Sequence, residues 1–218
     1  MYYNVEDFKD YFENKFEPWH FTSDDVDDLV CDIEKNFPDL EFTFEMGATK
    51  CVIIPIEADF VIKIPFDGEN QRVDEYHDWD EFCEFTGGGG DGWDYCDQEC
   101  VYYEDIVKGS GFEKFFLPNH ELGLNWPVYI QQKAEVCNET RRETSKKSKE
   151  MVKEIRKTIW CRFPNNWLEL CLEKFNYDAN KLKNFICFLD DNFSDLHSNN
   201  IGYLDDQPVI IDYAGYCE

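Results

Sequence analysis

Apolar residues recur at helical spacing near the start of the chain and then switch to the alternation that is typical of β-strands. Residues 1–37 carry two such helical stripes, and Thr22 precedes the second as a predicted N-cap. The first stripe consists of Val5, Phe8, Phe12 and Phe16. Between residues 40 and 66, short runs rich in β-branched side chains alternate with turn-forming residues. This pattern predicts an antiparallel meander of three strands.

Helical and alternating patterns also follow one another through the rest of the chain. A helix is predicted at about Asp94–Val107, and one or two strands are predicted between residues 120 and 136. Three helices should follow, and the last pattern indicates a hairpin from Asn200 to Asp212. Strands and helices that are segregated in this way favour an α+β fold. We expect about five antiparallel strands with a helix against them, followed by a mostly helical second lobe.

Composition and charge narrow the function classes. Hydrophobic residues make up 43% of the 218 residues, which is enough to form a core and excludes a wholly disordered chain. The formal net charge is −26, from 21 basic and 47 acidic residues, so most of the surface would repel the phosphates of a nucleic acid. No apolar run approaches the roughly 20 residues needed to cross a bilayer, and the acidic start does not resemble a secretory signal. We expect a cytoplasmic protein, or one of the host cytoplasm if a phage encodes it, that binds neither nucleic acid nor membrane.

The charge is unevenly distributed along the chain. Residues 67–105 contain 14 acidic residues and one basic residue around a run of four glycines, which is typical of a flexible linker. Residues 141–157 contain eight basic and three acidic residues, and Ile155, Ile159 and Trp160 are predicted to give this helix its apolar side. A solvated helical face and a docking surface for an acidic segment are the two interpretations of this stretch.

The ten cysteines are scattered, and without a secretory context they are interpreted as small buried residues or unreactive thiols. One combination could form a zinc site, namely His77, Cys83, Cys96 and Cys100. Its spacing matches no common zinc pattern, so the sequence disfavours zinc.

The strongest indication of chemistry is the stretch Asp195-Leu-His-Ser-Asn-Asn200, followed after a hairpin by Asp212 at the end of an aliphatic strand. Phosphoryl transfer needs one carboxylate that orients an acceptor hydroxyl and takes its proton, together with an amide and a second carboxylate that hold magnesium on the nucleotide. Asp195 fits the first role, and Asn200 and Asp212 fit the second. Because Asp and Asn also favour turns, a capped turn is the competing interpretation.

These residues resemble the catalytic loop of the protein-kinase-like superfamily. The closer resemblance is to the aminoglycoside phosphotransferase type, whose loop has the form Asp-Leu-His-x-x-Asn, and it implies a structural role for His197. Phe60-Val-Ile-Lys63-Ile resembles the small-lobe strand whose lysine contacts the nucleotide phosphates. The family pairs that lysine with a glutamate of the next helix, for which Glu99 is the first candidate and Glu104 the second. An exposed lysine on an edge strand is the alternative interpretation of Lys63.

The resemblance extends to the segment that would hold adenine. Residues 128–135 resemble the last small-lobe strand and the hinge that follows it. The hinge residues implied, acting through their backbone, are Gln132, Lys133 and Ala134. The implied organisation is a helical segment at 1–39, a nucleotide-binding lobe at 40–134 with an acidic insertion at 67–93, and a truncated helical lobe at 135–218.

The resemblance implies ATP and Mg²⁺ as cofactors and a hydroxyl acceptor that the sequence does not identify. The glycine-rich loop of the family is reduced to Met46–Lys50, and no activation segment follows Asp212. The expected protein is therefore a phosphotransferase of reduced kinase-like fold, with Asp195 as the base. A nucleotide-binding or partner-regulating module without catalysis is the second hypothesis, and transfer of AMP is the third.

Overall fold

The computed structural model describes residues 3–14, 21–47, 49–66, 92–122, 127–137 and 142–213. These residues form a mixed α+β structure. The chain divides into two compact units, one from Met1–Cys100 with Pro118–Lys133 and the other from Val101–Leu117 with Ala134–Glu218. The chain crosses between the units at Cys100–Val101, Leu117–Pro118 and Lys133–Ala134, so residues 101–117 of the segment expected as one lobe at 40–134 belong to the second unit. Several expectations lie outside the described residues: Phe16, His77, Cys83 and the acidic insertion up to Asp91.

The described residues of the first unit form three helices and a five-stranded sheet. Its elements are α1 (Val5–Asn14), α2 (Val26–Asn36), β1 (Phe42–Met46), β2 (Lys50–Pro55), β3 (Phe60–Pro65), α3 (Gly92–Tyr102), β4 (Asn119–Glu121) and β5 (Tyr129–Gln132). Every pairing in the sheet is antiparallel, in the order β1-β2-β3-β5-β4, which confirms the predicted sheet. The predicted N-cap is also present, since Thr22 and Asp25 form a capping box at the short 3₁₀ turn that leads into α2.

The sheet has one apolar face, and the two N-terminal helices cover it. Successive residues of a strand point to opposite faces, so Cys51, Ile53 and Ile62 all lie on the face opposite to Lys63. These side chains are buried in one core with the apolar residues of α1 and α2. The ring of Phe8 packs edge-on against Phe60 with centroids 5.8 Å apart. One side of the sheet is thereby shielded from water, and the polar residues discussed below project from the other side.

In the second unit, the part of the chain that the structure describes forms three helices and a small three-stranded sheet. Its elements are β6 (Glu135–Val136), α4 (Lys146–Ile155), α5 (Asn165–Lys174), α6 (Ala179–Asn192), β7 (Ile201–Leu204) and β8 (Gln207–Ile210). Their core is rich in aromatic residues and centres on Trp167 and Phe185, both fully buried. Tyr103–Val107, a π-helical turn that directly follows α3, also belongs to this unit. The predicted helices and terminal hairpin are therefore present.

The prediction for the apolar side of the basic helix was wrong at its end. Helix α4 ends at Ile155, and its buried side consists of Ser148, Val152 and Ile155. Trp160 lies beyond the helix and is 75% exposed. The chain turns after Ile155, and the Thr158 hydroxyl donates to the carbonyl of Ile155 at 2.8 Å. This bond satisfies a carbonyl at the end of the helix. None of the described helices is long and apolar enough to span a membrane.

Candidate functional site

Lys63 lies in the middle of the five-stranded sheet. Strand β3 is flanked by β2 and β5, and only 2% of Lys63 is exposed. The alternative interpretation of an exposed lysine on an edge strand is therefore wrong. A buried ammonium group requires a charged partner, because an uncompensated buried charge is costly.

Glu99 provides that partner. In α3, Cys96, Glu99 and Cys100 fall on one helical face at spacings of three and four, and the carboxylate of Glu99 is fully buried. Its Oε2 lies 3.0 Å from Nζ of Lys63, so the predicted pairing is present. The second candidate, Glu104, instead pairs with Lys108 on the surface, where both side chains are more than half exposed.

Two residues that the sequence analysis missed bind the same carboxylate. Nζ of Lys50 lies 3.3 Å from Oε1 of Glu99, and the side-chain amide of Asn119 donates to Oε2. Lys50 and Asn119 are 7% and 5% exposed, so both contacts are made away from bulk water. Each carboxylate oxygen of Glu99 thus accepts a hydrogen bond from a different lysine, and Oε2 also accepts one from the amide of Asn119. Because Nδ2 of Asn119 is the donor, its Oδ1 is left buried and accepts no hydrogen bond from the described residues.

Strand register explains why these side chains meet. Val52 is the partner of Lys63 across β2 and β3, and Lys50 precedes Val52 by two residues, so both lysines project from one face. Asn119 faces Gln131 on the adjacent pair of strands, and the same parity places it on that face too. A count of strand parity could therefore have found Lys50. By sequence alone, Lys50 is the last residue of the reduced glycine-rich loop.

Cys100 follows Glu99 directly in the chain. Its thiol does not have the properties of a metal ligand. Its thiol donates to the backbone carbonyl of Asn119 at 3.6 Å. Burial, followed by the negative charge of Glu99, raises the pKa of the thiol to about 11. A metal-ligating or nucleophilic cysteine requires the opposite shift. No group of three or more His, Cys, Asp or Glu residues is arranged to hold a metal ion in the part of the chain that the structure describes.

The three hinge residues differ in what their backbones already bind. Gln132 ends β5 and pairs with Phe60. The backbone N–H of Lys133 donates to the carbonyl of Asp59 at 2.7 Å, so it is engaged within the first unit. The Ala134 backbone makes no such hydrogen bond with the described residues outside the strands. Of the three, Ala134 is therefore best suited to offer its N–H to a ligand.

In the second unit, the loop after α6 brings Asp195 and Asn200 together. The amide Nδ2 of Asn200 donates to the backbone carbonyl of Asp195 at 2.6 Å, and the backbone N–H of Asn200 donates to the backbone carbonyl of His197 at 2.9 Å. Since a carbonyl can only accept, this contact fixes which end of the amide is nitrogen and leaves Oδ1 as the available ligand atom. An amide oxygen is also the atom that a magnesium ion would bind.

Asp212 is tied to the same loop through the hairpin. The carbonyl of Asn200 accepts hydrogen bonds from the N–H groups of Ile211 and Asp212, at 2.8 and 3.3 Å. The close approach of β6 also requires Gly202, because a Cβ there would lie 2.2 Å from the carbonyl oxygen of Glu135. The hairpin thus holds both proposed metal-binding residues beside the Asp195 loop.

The carboxylate of Asp195 is accessible. Its side chain is 44% exposed, and Nε2 of His197 lies 3.8 Å from its Oδ1. The other ring nitrogen of His197 accepts a hydrogen bond from the backbone N–H of Asn199 at 3.2 Å. This contact agrees with the structural role expected for His197. An accessible carboxylate is suited to a hydroxyl-bearing substrate, and the oriented amide oxygen of Asn200 is suited to a hard cation.

Comparison with known proteins adds no family. No protein-family model matches the chain, and no curated protein matches it.

Proposed function

We propose that this chain is an ATP- and Mg²⁺-dependent phosphotransferase with a reduced, two-lobed kinase-like fold. Lys63 binds the nucleotide phosphates, and Asp195 orients the acceptor hydroxyl. Asn200 and Asp212 hold the magnesium ion. Adenine would contact the backbone at Gln132, Lys133 and Ala134.

The observation that carries the proposal is the buried ion pair between Lys63 and Glu99. A lysine on the central strand would be a costly choice for stability alone, since an apolar side chain could fill the same place. A fixed carboxylate holds the ammonium group in one position, and fixed charges stabilise a phosphoryl group without reorganising. The pair joins β3 to the following helix, as the family resemblance implies.

The loop in the second unit supports the same reaction class. The Asp195 carboxylate is exposed enough to meet a hydroxyl group, and Asn200 uses its nitrogen on the backbone and keeps its oxygen for a metal. In the reaction, Asp195 takes the proton of the acceptor hydroxyl as that oxygen bonds to the terminal phosphorus. The bond from this phosphorus to the bridging oxygen breaks, and ADP leaves with the electron pair. When bound, magnesium would neutralise charge on the phosphates.

The test is incubation of the purified protein with Mg²⁺ and ATP that is labelled at the terminal phosphate. We expect label on the protein itself or on a member of a panel of proteins and hydroxylated small molecules. Asp195→Asn should abolish this transfer and leave Mg-ATP affinity nearly unchanged, whereas Asp212→Asn should reduce both. Asp206→Asn is the matched control, because Asp206 is an exposed acid in the turn of the same hairpin.

The other outcomes identify the competing functions. Label from the α-position of ATP, without label from the terminal phosphate, would indicate transfer of AMP. Binding of Mg-ATP without transfer to any candidate would indicate a nucleotide-binding module. Absence of any nucleotide binding would refute the proposal in both forms.

A further inference from the structure

Two lysines from adjacent strands contact one buried carboxylate in the first unit. Lys50 approaches Oε1 of Glu99 at 3.3 Å, and Lys63 approaches Oε2 at 3.0 Å. Their side chains are 9% and 3% exposed. Lys63 by itself would provide the cation that Glu99 needs. A second lysine at this carboxylate adds the cost of removing another charge from water, and it places a second positive charge beside Lys63.

The connection before Lys50 is short. The backbone N–H of Gly47 donates to the carbonyl of Lys50 at 2.9 Å. This hydrogen bond closes the turn between β1 and β2, and only two residues separate Gly47 from Lys50. A loop that cradles phosphates needs several successive backbone N–H groups that point at the anion. A turn of this length offers few, so another group must provide the positive charge that such a loop normally contributes.

We propose that Lys50 is a second phosphate-binding lysine, and that Lys50 and Lys63 together bind the polyphosphate chain of a nucleoside triphosphate. The proposal rests on the proposed function, and it adds a residue that the family resemblance did not imply. Glu99 acts as a shared positioning residue because each of its oxygens orients one ammonium group. An ammonium group has three N–H donors, so it can bond to a carboxylate and to phosphate oxygens at the same time.

Asn119 completes the arrangement. Its amide nitrogen donates to Oε2, the oxygen that also contacts Lys63, and this contact fixes the rotation of the Glu99 carboxylate. With the carboxylate fixed, Oε1 remains directed at Lys50. Two positive groups are thereby held within hydrogen-bond distance of one carboxylate, and two neighbouring phosphates of one chain can span such a separation.

The experiment is calorimetric titration of the full chain with ATP, inorganic tripolyphosphate and adenosine, each with and without Mg²⁺. The variants are Lys50→Met, Lys50→Gln and Lys63→Met. Lys50→Gln keeps a donor for Glu99, so it separates loss of charge from loss of structure. Lys35→Met is the matched control, since it removes the same charge from an exposed position on α2. Circular dichroism of each variant verifies the fold.

We expect both Lys50 variants to bind ATP and tripolyphosphate at least about tenfold more weakly, because each loses a charged contact to phosphate. Adenosine binding should not change, and Lys35→Met should bind all three ligands like the wild type. If tripolyphosphate binds in a Lys50-dependent way and ATP does not bind, the two-lysine site stands and the proposed function fails. If folded Lys50→Gln binds ATP with wild-type affinity, Lys50 has no such role and the proposed function survives. If the wild type binds neither anion, both are overturned.

Discussion

The side-chain amide of Asn200 donates a hydrogen bond to the backbone carbonyl of Asp195 at 2.6 Å, which directs its oxygen away from that carbonyl. Asn200→Ala removes this oxygen. We expect the additional thermal stabilisation that Mg²⁺ gives to the ATP complex to disappear, because ligands stabilise a protein in proportion to the logarithm of their affinity. Stabilisation by ATP with a chelator should remain.

The measurement is a thermal shift with ATP and Mg²⁺ against ATP and chelator. Asn180→Ala is the control, since Asn180 is an exposed residue at the start of α6. A full magnesium effect in Asn200→Ala would remove this residue from the proposed metal site.

Glu99→Gln should destabilise the protein strongly. The substitution keeps the shape of the side chain but removes the charge that compensates Lys50 and Lys63. Breaking a buried ion pair in this way costs about 3–5 kcal/mol of the free energy of unfolding. Glu104→Gln is the matched control, because its pair with Lys108 is on the surface, and we expect no measurable change there. Urea unfolding of both variants measures the difference, and equal midpoints would contradict the role assigned to Glu99.

Gly202→Ala should destabilise the second unit. The new methyl group would lie 2.2 Å from the carbonyl oxygen of Glu135, where the neighbouring backbone has to move. Overpacking of this kind typically costs about 1–3 kcal/mol or more. At Gly47 a Cβ would lie 3.6 Å from the carbonyl oxygen of Lys50, an ordinary contact, so Gly47→Ala serves as the control. Thermal unfolding should show a lower midpoint for Gly202→Ala only.

The thiol of Cys100 should make the free energy of unfolding depend on pH in the alkaline range. Its pKa rises from 9.0 to about 11 in the folded protein, first through burial and then through the charge of Glu99. The unfolded chain releases this proton near pH 9 while the folded chain retains it, so the stabilisation is complete below pH 9 and is lost as pH rises toward 11. Cys100→Ser cannot lose the proton, and its stability should fall less than that of the wild type over this interval. Urea unfolding at pH 8 and pH 10.5 compares the two proteins, and parallel losses would show that Cys100 is not responsible.

The sequence was informative where one strong periodicity determines the position of a side chain. The two periods placed Lys63 on an apolar strand and Glu99 on a helix within the acidic stretch, and the family resemblance implied that the two side chains pair. The role of Lys50 was not predicted, because the residue lies where the turn ends and the strand begins, and the sequence does not show to which of the two it belongs. The role of Asn119 was not predicted either, because a polar residue after Pro118 is typical of a loop. Only the pairing of β4 with β5 places Asn119 on the sheet.

Other features depend on how a helix or strand ends, which the apolar pattern does not determine. The apolar spacing of Ile155, Ile159 and Trp160 predicted a longer helix, but the chain turns after Ile155 and leaves Trp160 exposed. The N–H of Lys133 was available to a ligand by sequence, yet the structure pairs it with Asp59. The first case is a local turn at the end of a helix, and the second is a contact between residues that are distant in the sequence.

The apolar face of the sheet makes the N-terminal helices part of the first unit rather than an appendage to it. Cys51, Ile53 and Ile62 share one core with Phe8 and Leu29. A shortened chain that began at residue 40 would present this face to water, and such a surface promotes aggregation. The smallest soluble fragment that carries Lys63 should therefore begin at the first helix and not at the first strand.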